Sequence, residues 1–422
     1  MIRSMFTAIS SLGLHQKYLD VVSNNLANAN STGYKANRVL FQDQYAQTLS
    51  PGAAPTTTQG GTNPTQIGLG VLLGYVSPNF TQGMLQSTGR NMDLGIQGDG
   101  FFIYGSQTSG RSFSREGSMS LDANGYLVDA ATGMRTQGWT VAAGATTVNT
   151  NLPVDDIKIS TGNTQAKATG NIILGGNLTS AIAVPVVNPT ISLGVYDSLG
   201  TLQTGKITFT RGATSGAAPN IQTAWAWALT GAAGAAGSGT INFDQNGQYI
   251  PPTAPATDTT IPVTIPGSTG AGAITPIAID FSNLTMLGSP GSAAVTSQDG
   301  LPSGTVSDVF ISPNDGVISL VYTNGLRAEV GQLALARFTN PTGLIRGAHT
   351  TFQAGLNSGE PEIGTANSGG RGSLSSGYLE ASNVDMAQEF TNMILAQRGF
   401  QASSRVITTS DEILQELVNL KR

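Results

Sequence analysis

Two segments with the apolar spacing of amphipathic helices lie at opposite ends of the 422-residue chain. In each segment an apolar side chain recurs every three or four residues, with a few polar interruptions. The N-terminal stripe consists of Ile2, Met5, Ile9, Leu12, Gln16, Leu19, Ser23 and Leu26. The C-terminal stripe consists of Met386, Phe390, Met393, Gln397, Phe400, Ser404, Ile407, Asp411, Leu414 and Val418.

The stripes predict a first helix over about residues 4–29 and a last helix that begins near Ser382. Ser382 and Asp385 form a loose capping-box pattern there, and Thr409 to Glu412 resembles a second helix start, which leaves a break at Thr409 open. A lone amphipathic helix is not stable unless it buries its apolar side. We therefore expect either that the two stripes pack on each other, as in a coiled coil, or that both helices lie on one globular core.

The long middle of the chain has the patterns of β-strands. From about Asn91 the apolar period changes to two, which is typical of half-buried strands. Asn-Gly pairs, a strong signal for tight hairpins, occur at residues 124–125, 246–247 and 324–325. Residues 50–70 are rich in Pro, Thr and Gly without periodicity, so we expect extended chain lying on another surface, with simple disorder as the alternative. The sequence predicts a mainly β protein with terminal α-helices, in which antiparallel β domains are nested between coiled-coil-like helices.

Composition shifts divide the chain into nested parts. Residues 1–30 and 382–422 are expected to form a helical assembly domain, and residues 31–90 and 353–381 an extended connector. Residues 91–140 and 303–352 would pair into an inner β domain, across an inserted outer β domain at residues 141–302 that is rich in Ala, Gly, Thr and Pro.

Charge and cysteine content exclude several kinds of partner. Charged residues are 11% of the chain, the net charge is −5, and there is no basic run, so we expect no nucleic-acid partner. No stretch approaches the roughly 18 apolar residues of a membrane span, so we expect no membrane insertion. The chain has no cysteine, which excludes disulfides and thiolate metal sites. Its start lacks the unbroken apolar core of a cleaved signal peptide, so any export would use another route.

No combination of residues predicts catalysis, a cofactor or a metal site. Only two histidines are present, and His15 lies on the flank of the first helix as a packing or solvent-facing residue. Residues 122–125 and 244–247 resemble the start of a calcium loop but lack its closing Glu, so hairpin turns explain them better. Trp225 and Trp227 share one face of a predicted strand, which indicates a strand core.

Several segments resemble the bacterial flagellar rod and hook axial protein family. The clearest is Ser-Asn-Asn-Leu-Ala-Asn-Ala-Asn-Ser-Thr-Gly-Tyr-Lys at residues 23–35, followed by residues 89–102, 113–117, 121–128, 378–385 and 393–400. Two departures are Tyr34, where Phe is common, and residues 141–190, which match poorly. The resemblance covers both ends and the predicted inner β domain.

Within the family, rod subunits are shorter, and residues 195–200, 241–247, 322–325 and 331–338 look like hook-subunit segments. The resemblance therefore implies a structural subunit, not an enzyme, that self-assembles into a flexible helical tube and transmits torque from rod to filament as a universal joint. It implies an extracellular location in the flagellum. Its implied partners are further copies of itself, the distal rod protein, the hook cap, the hook-filament junction proteins and the flagellar export apparatus. The alternatives are a distal rod subunit with an unusual insertion and a secreted β-rich adhesin.

Assembly into a helical tube requires heterologous contacts, in which one patch of a subunit fits a different patch of the next. The terminal helices would supply such patches, and in a free monomer the stripes would lack partners and fray. Gln16, Gln397 and Ser404 would then face water or the next subunit. The expected self-assembly residues are Ile2, Met5, Ile9, Leu12, Leu19, Leu26, Met386, Phe390, Met393, Phe400, Ile407, Leu414 and Val418.

Overall fold

A computed structural model describes residues 2–106, 110–142, 145–181, 188–216, 221–231, 237–251, 263–265, 270–271 and 274–419. The chain divides into two compact units. Unit 1 comprises Met1–Ile159, Phe310–Ser319 and Glu329–Arg422, and unit 2 comprises Ser160–Val309 and Leu320–Ala328. The four-part nested layout expected from composition stays a prediction.

The helices are α1 (Ile2–Ala27) and α2 (Met386–Asn419), with one short 3₁₀ helix at Pro341–Gly343. The strands, numbered in chain order, are β1 (Asn37–Asp43), β2 (Ala46–Ser50), β3 (Thr65–Gly68), β4 (Val71–Pro78), β5 (Leu85–Ser87), β6 (Leu94–Gln97), β7 (Phe101–Ser106), β8 (Gly110–Ser114), β9 (Met119–Leu121), β10 (Leu127–Asp129), β11 (Gln137–Thr140), β12 (Asp155–Asp156), β13 (Gln165–Lys167), β14 (Asn171–Asn177), β15 (Thr190–Tyr196), β16 (Leu202–Ser215), β17 (Gln222–Gly231), β18 (Ser238–Phe243), β19 (Tyr249–Ile250), β20 (Val263–Ile265), β21 (Ile274–Thr285), β22 (Ala294–Gln298), β23 (Leu301–Gly304), β24 (Val306–Ile311), β25 (Val317–Tyr322), β26 (Arg327–Arg337), β27 (Ile345–Arg346), β28 (Thr351–Gln353), β29 (Glu362–Thr365), β30 (Ser373–Ser376) and β31 (Tyr378–Glu380). The prediction of a mainly β fold with a helix at each end is confirmed.

The start of α2 lies later than predicted, because Asp385 is the capping residue. Its Oδ1 accepts hydrogen bonds from the backbone N–H groups of Ala387 and Gln388, at 2.9 and 3.1 Å. Ser382 instead accepts a bond from the N–H of Val384, outside the helix. Two polar residues three apart can each cap a helix, and sequence spacing alone did not distinguish them.

The break at Thr409, which the sequence left open, does not occur, since α2 continues to Asn419. The hydroxyl of Thr409 donates to the carbonyl of Arg405 at 2.5 Å, and that of Ser410 donates to the carbonyl of Val406 at 2.7 Å. These bonds back to the preceding turn let hydroxyl side chains remain inside a helix.

The main sheet of unit 1 brings together segments from both sides of the long insertion. Its strand order is β12-β11-β26-β7-β8-β28-β27, and β29 also pairs with β26, along residues 334–337. The expected pairing across the insertion is present: Trp139 pairs with Gln332, Phe102 with Leu335. A cluster of buried aromatic and aliphatic side chains packs on this sheet, and within it the rings of Phe113 and Phe338 meet edge to face at 4.8 Å.

The segment that was predicted as extended chain without periodicity is part of a long antiparallel hairpin. β1 pairs with β4, and farther along the same hairpin β2 pairs with β3. All residues of β2 and β3 are exposed. Strand periodicity arises when one face is buried, so an exposed hairpin leaves no such pattern in the sequence.

Unit 2 contains two sheets that share one core. The five strands β15-β16-β17-β18-β19 form an antiparallel meander, and the four-stranded sheet has the order β20-β21-β14-β22. β14 and β21 are parallel, which is possible because the long segment between them contains the whole meander. Trp225 and Trp227 are only 2% and 1% exposed, so they are core residues and do not form the aromatic binding face that an adhesin would need.

All three predicted Asn-Gly hairpins are confirmed. They join β9 to β10, β18 to β19, and β25 to β26, and the three glycines have φ values of 83°, 74° and 83°. In the first two hairpins the preceding Asp carboxylate accepts backbone N–H groups of the turn itself, as Asp244 Oδ1 does from Asn246 and Gln248. The carboxylate therefore has a structural role in the turn.

Two of these glycines provide a matched test in unit 2. Gly247 and Gly325 both have positive φ, but a Cβ at Gly247 would overlap the carbonyl oxygen of Met286, whereas nothing lies within 4 Å of one at Gly325. Gly325→Ala should cost about 1–2 kcal/mol from backbone strain alone. Gly247→Ala should cost about 1–3 kcal/mol more because the strands must also move apart. Denaturant unfolding of the full chain followed by tryptophan fluorescence measures both; equal losses would contradict the overlap.

Candidate assembly surface

The two terminal helices pack side by side in opposite directions. Ser11 Oγ lies 3.0 Å from Ser403 Oγ. Four residues farther along α1, the His15 ring occupies the space beside Gly399, where an added Cβ would overlap it. Gly399 lies four residues before Ser403, so the helices form an antiparallel pair.

A carboxylate lies at the other end of the same seam. The side chains of Asn25 and Asn392 lie beside Glu389. Burial raises the pKa of the Glu389 carboxyl above its usual value, and the two neighbouring amides oppose the shift. Burial also raises the pKa of the Tyr18 phenol, with a further contribution from the negative charge of Glu389.

Small side chains line the seam between the helices. The buried residues of α2 are Ala396, Ser403 and Ser410, which are spaced by seven residues, and α1 contributes Ala8 and Val22 from a row with the same period. A seven-residue period keeps a row of side chains facing a partner helix along its length. The two helices pack on each other as expected, but these small residues form the centre of the seam, and one row of each apolar stripe lies beside it.

The stripes themselves are left partly or wholly uncovered. One row of each stripe flanks the seam and is half-buried: Met5, Leu12, Leu19 and Leu26 in α1, and Met393, Phe400, Ile407 and Leu414 in α2. Farther out, Ile9 is 48% exposed, Phe390 51%, Met386 52% and Val418 69%. The side chain of Ile2 lies outside the described residues. Gln16, Ser23, Gln397 and Asp411 are exposed, and Ser404 is half-buried.

Sequence reasoning missed a second set of exposed apolar side chains on these helices. We use the name outer apolar face for the exposed apolar side chains on both sides of the seam: Ile9, Met386, Phe390 and Val418 together with the residues outside the stripes, Phe6, Ile394, Leu395, Val406, Ile413 and Leu417, which are 43–62% exposed. The sequence did contain a signal for these residues, because the apolar residues of α2 occur on more than one side of the helix. That distribution is typical of a helix that other elements or chains cover on several sides.

Asparagine side chains fix the place where α1 ends and α2 begins. Asn25 donates to the carbonyl of Asn37 and accepts from the N–H of the same residue, both at 2.9 Å, as a neighbouring strand would. Asn383 accepts from the N–H of Ala36 at 2.8 Å and donates to the carbonyls of Asn79 and Thr81. The helix pair is therefore bonded to the adjoining β1 and β4 region of unit 1.

A buried cluster of three charges lies next to this junction. Lys35 Nζ lies 2.6 Å from Glu380 Oε1, and Arg115 Nη1 lies 3.4 Å from Glu380 Oε2; all three side chains are at most 3% exposed. Lys35 also donates to the carbonyl of Thr81, and the N–H of Gly83 donates to Glu380. Burial lowers the pKa of Lys35 and of Arg115, and the charge of Glu380 opposes both shifts.

The cluster was not predicted, although each member lies in or beside a family-like segment. Lys35 and Glu380 are 345 residues apart, and a single sequence contains no signal that joins positions at that distance. The sequence contained only a partial indication of the cluster: its members are isolated charges among uncharged turn residues, in a chain with little charge.

The comparisons with known proteins cover most of the chain. Family models match residues 5–35 (flagella basal body rod protein), 95–174 (flagellar hook protein FlgE/F/G D1 domain), 186–301 (flagellar basal body protein FlaE D2 domain) and 375–420 (flagellar basal body rod FlgEFG protein C-terminal). The flagellar hook protein FlgE of Borreliella burgdorferi is 35% identical, with 100% of both chains covered. The chain belongs to the flagellar hook protein family.

Other relatives agree with this membership. The hook protein FlgE of Treponema pallidum is also 35% identical over 100% of both chains, and the basal-body rod protein FlgG of Bacillus subtilis is 29% identical over 100% of both. A crystal structure of Helicobacter pylori FlgE2 covers 70% of this chain and 100% of its own, at 14% identity and a TM-score of 0.48, a likeness too distant to bear on individual residues. Members of the family are structural components of the bacterial flagellum, as the resemblance implied.

Two findings concern other kinds of site. Among the described residues, no helix is both long and apolar enough to cross a membrane. The same part of the chain contains no group of three or more His, Asp or Glu side chains placed to hold a metal ion.

The buried cluster predicts a large stability difference between two similar substitutions. Glu380→Gln removes the carboxylate that Lys35 and Arg115 share in this buried site, which should lower the free energy of unfolding by about 3–5 kcal/mol. The control is Glu362→Gln, because that carboxylate is 56% exposed and 3.9 Å from Arg337. It should cost at most about 1 kcal/mol. Calorimetry of the full-length variants measures the difference, and similar melting of the two would refute the importance of the cluster.

Proposed function

We propose that this chain is a subunit of the flagellar hook that self-assembles into a helical tube through its terminal helix pair. The observation that carries the proposal is the outer apolar face, where side chains such as Phe6, Ile394 and Leu395 are 57–62% exposed. Apolar area of this kind, concentrated on one helix pair, is typical of a surface that another protein chain covers. Membership of the hook family makes further copies of the chain the expected cover.

Assembly through this face has a sufficient driving force. Full burial of one large apolar side chain contributes about 1.5–3 kcal/mol. The outer apolar face has ten such residues, so covering a part of it can outweigh the loss of translational and rotational freedom on association. The half-buried row that includes Leu12, Leu19, Phe400 and Leu414 would add to that contact.

The small-residue seam couples folding of the helices to assembly. The buried residues of α2 at the seam, Ala396, Ser403 and Ser410, have small side chains, so we expect the seam alone to hold the pair weakly. The larger side chains remain outside it and gain their contacts from neighbouring subunits. In the monomer the helices therefore fray, and they become fully ordered when a subunit is added to the growing end.

Bending of the tube requires contacts between neighbouring subunits that can break and re-form with little loss of free energy. The chain has 11% charged residues. The described residues show four ion pairs with exposed members: Arg90–Asp93, Arg135–Asp156, Lys167–Asp299 and Arg337–Glu362. Hydrated polar contacts without fixed ion pairs can form and break as subunits move. In this hypothesis the helices hold the tube together, and the β domains carry its curvature.

The further expectations follow from family membership. The tube would join the rod to the filament outside the cell, act as a mechanical part and not as an enzyme, and contact the distal rod protein, the hook cap and the hook-filament junction proteins. The chain would leave the cell through the flagellar export apparatus. Its lack of cysteine is compatible with passage as an unfolded chain.

Substitutions on the outer apolar face should separate assembly from folding. Phe390→Ser with Ile394→Ser changes side chains that are 51% and 57% exposed, so the monomer should keep its melting temperature. Polymerisation should fail or require at least about tenfold more protein, since each loss weakens a contact by more than about 1 kcal/mol. Exposed Gln401→Ser with Gln415→Ser is the control and should assemble normally. Sedimentation and electron microscopy give the readout, and normal tubes from the first variant would refute the proposal.

The seam yields a second test with a matched glycine. An Ala at Gly399 would collide with the His15 ring, whereas an Ala at Gly13 of α1 has no atom within 4 Å. Gly→Ala favours a helix by about 0.5–1 kcal/mol, so Gly13→Ala should leave the critical concentration for polymerisation unchanged or lower it. Gly399→Ala should raise the critical concentration despite the same gain. Equal behaviour of the two variants would show that close approach at this point is not needed.

A further inference from the structure

Unit 1 presents two exposed aliphatic side chains that do not belong to the helices. Leu356 exposes its whole side chain, at 110% of the reference area, and Ile345 is 58% exposed. Ile345 lies beside the residue that precedes Leu356, because a Cβ at Gly355 would be 3.3 Å from Cγ1 of Ile345. Large apolar side chains that project from a protein surface mark interaction sites when they are held in one position.

The turn that carries Leu356 is held by a buried serine. Ser358 is 0% exposed, and its hydroxyl donates to the carbonyl of Gly355 at 2.8 Å. The same hydroxyl accepts from the N–H of Gly355 at 3.1 Å, and the N–H of Ser358 donates to the Gly355 carbonyl at 3.2 Å. Three bonds thus close the turn on either side of Leu356.

A second layer of contacts fastens the turn to the 3₁₀ helix. Asn340 donates through its side chain to the carbonyl of Asn357 at 2.8 Å and through its N–H to the carbonyl of Ser358 at 3.2 Å. Gly343 and Gly355 touch so closely that a Cβ on either would overlap the other segment. The backbone beneath Leu356 is therefore fixed before any partner arrives, and a partner would not have to order it.

The surroundings of this pair indicate the chemistry of its partner. Residues 339–345 and 351–359 contain no charged side chain, and the charges nearest to them in sequence are Arg346 and Glu360. A surface that covers them gains from apolar contact and loses by bringing a charge into it. The chain itself offers a surface of that kind: residues 44–89 contain no charge, and Tyr45, Leu49 and Ile67 there are 44–84% exposed.

We propose that Leu356 and Ile345 form an assembly knob that a second copy of this chain covers in the polymer. The proposal rests on the proposed function, since it needs a polymer of identical subunits. A knob on one part of a subunit and an uncharged cover on another make the heterologous contact that an open helical assembly requires. The knob is independent of the outer apolar face of the helices and would act beside it.

The chain has no cysteine, so a single introduced thiol reports directly on this contact. Leu356→Cys should react rapidly with a maleimide in the monomer and at least about tenfold more slowly in tubes. Leu199→Cys, at a 53% exposed position of unit 2, is the labelling control. Reaction of the Leu356→Cys variant in tubes at its monomer rate would overturn the proposal, and so would equal slowing at both positions.

Polymerisation of Leu356→Ser gives an independent readout. The side chain is fully exposed in the monomer, so the melting temperature should not change, whereas the critical concentration should rise about tenfold or more. Ser358→Ala keeps Leu356 but removes the bonds that hold the turn, and it should raise the critical concentration less. An unchanged critical concentration for Leu356→Ser would overturn the knob. Failure of the unsubstituted chain to form tubes would overturn the proposed function as well, which distinguishes the two failures.

Discussion

The fold of unit 1 depends on a buried contact between oppositely charged side chains from three distant parts of the chain. Glu380 binds Lys35 and Arg115 in a site from which water is excluded, and none of the three can be buried at acceptable cost without the others. Lys35 follows the end of α1, and Glu380 precedes the start of α2. Their contact therefore brings the two termini together, and the asparagine bonds of Asn25 and Asn383 then fix the exit of one helix beside the entry of the other.

Once the helices are side by side, the residues in their seam determine which side chains of the pair stay exposed. Ser11, Gly399 and Ser403 allow close approach, and His15 fits into the space that the glycine leaves. Because small residues occupy the seam, the larger apolar residues remain on its flanks and outer side. Small residues in the seam therefore weaken the contact within the pair and leave larger apolar residues free to contact other copies. This links the folding of the termini to polymerisation.

Much of the fold could be predicted because its signals are local. Asn-Gly turns identify hairpins from two residues, and the helical period identifies both terminal helices. The partner face of those helices could not be predicted, because periodicity shows where Leu19 or Phe400 lies on its helix but not which side meets the same chain. The buried cluster of charges could not be predicted for a related reason, since only the fold brings Lys35 and Glu380 together. The hairpin of β2 and β3 is exposed on both faces, so no alternation marked it.

The central claim is that the terminal helices become ordered only when neighbouring subunits cover them. Hydrogen exchange of the backbone amides of α1 and α2, compared between monomer and tubes, tests it most directly, because exchange reports local opening residue by residue. The account predicts rapid exchange of both helices in the monomer, beside protected strands in the two β cores, and at least about a hundredfold slower exchange of the helices in tubes. Helices that are equally protected in the monomer, or still exchange rapidly in tubes, would contradict it.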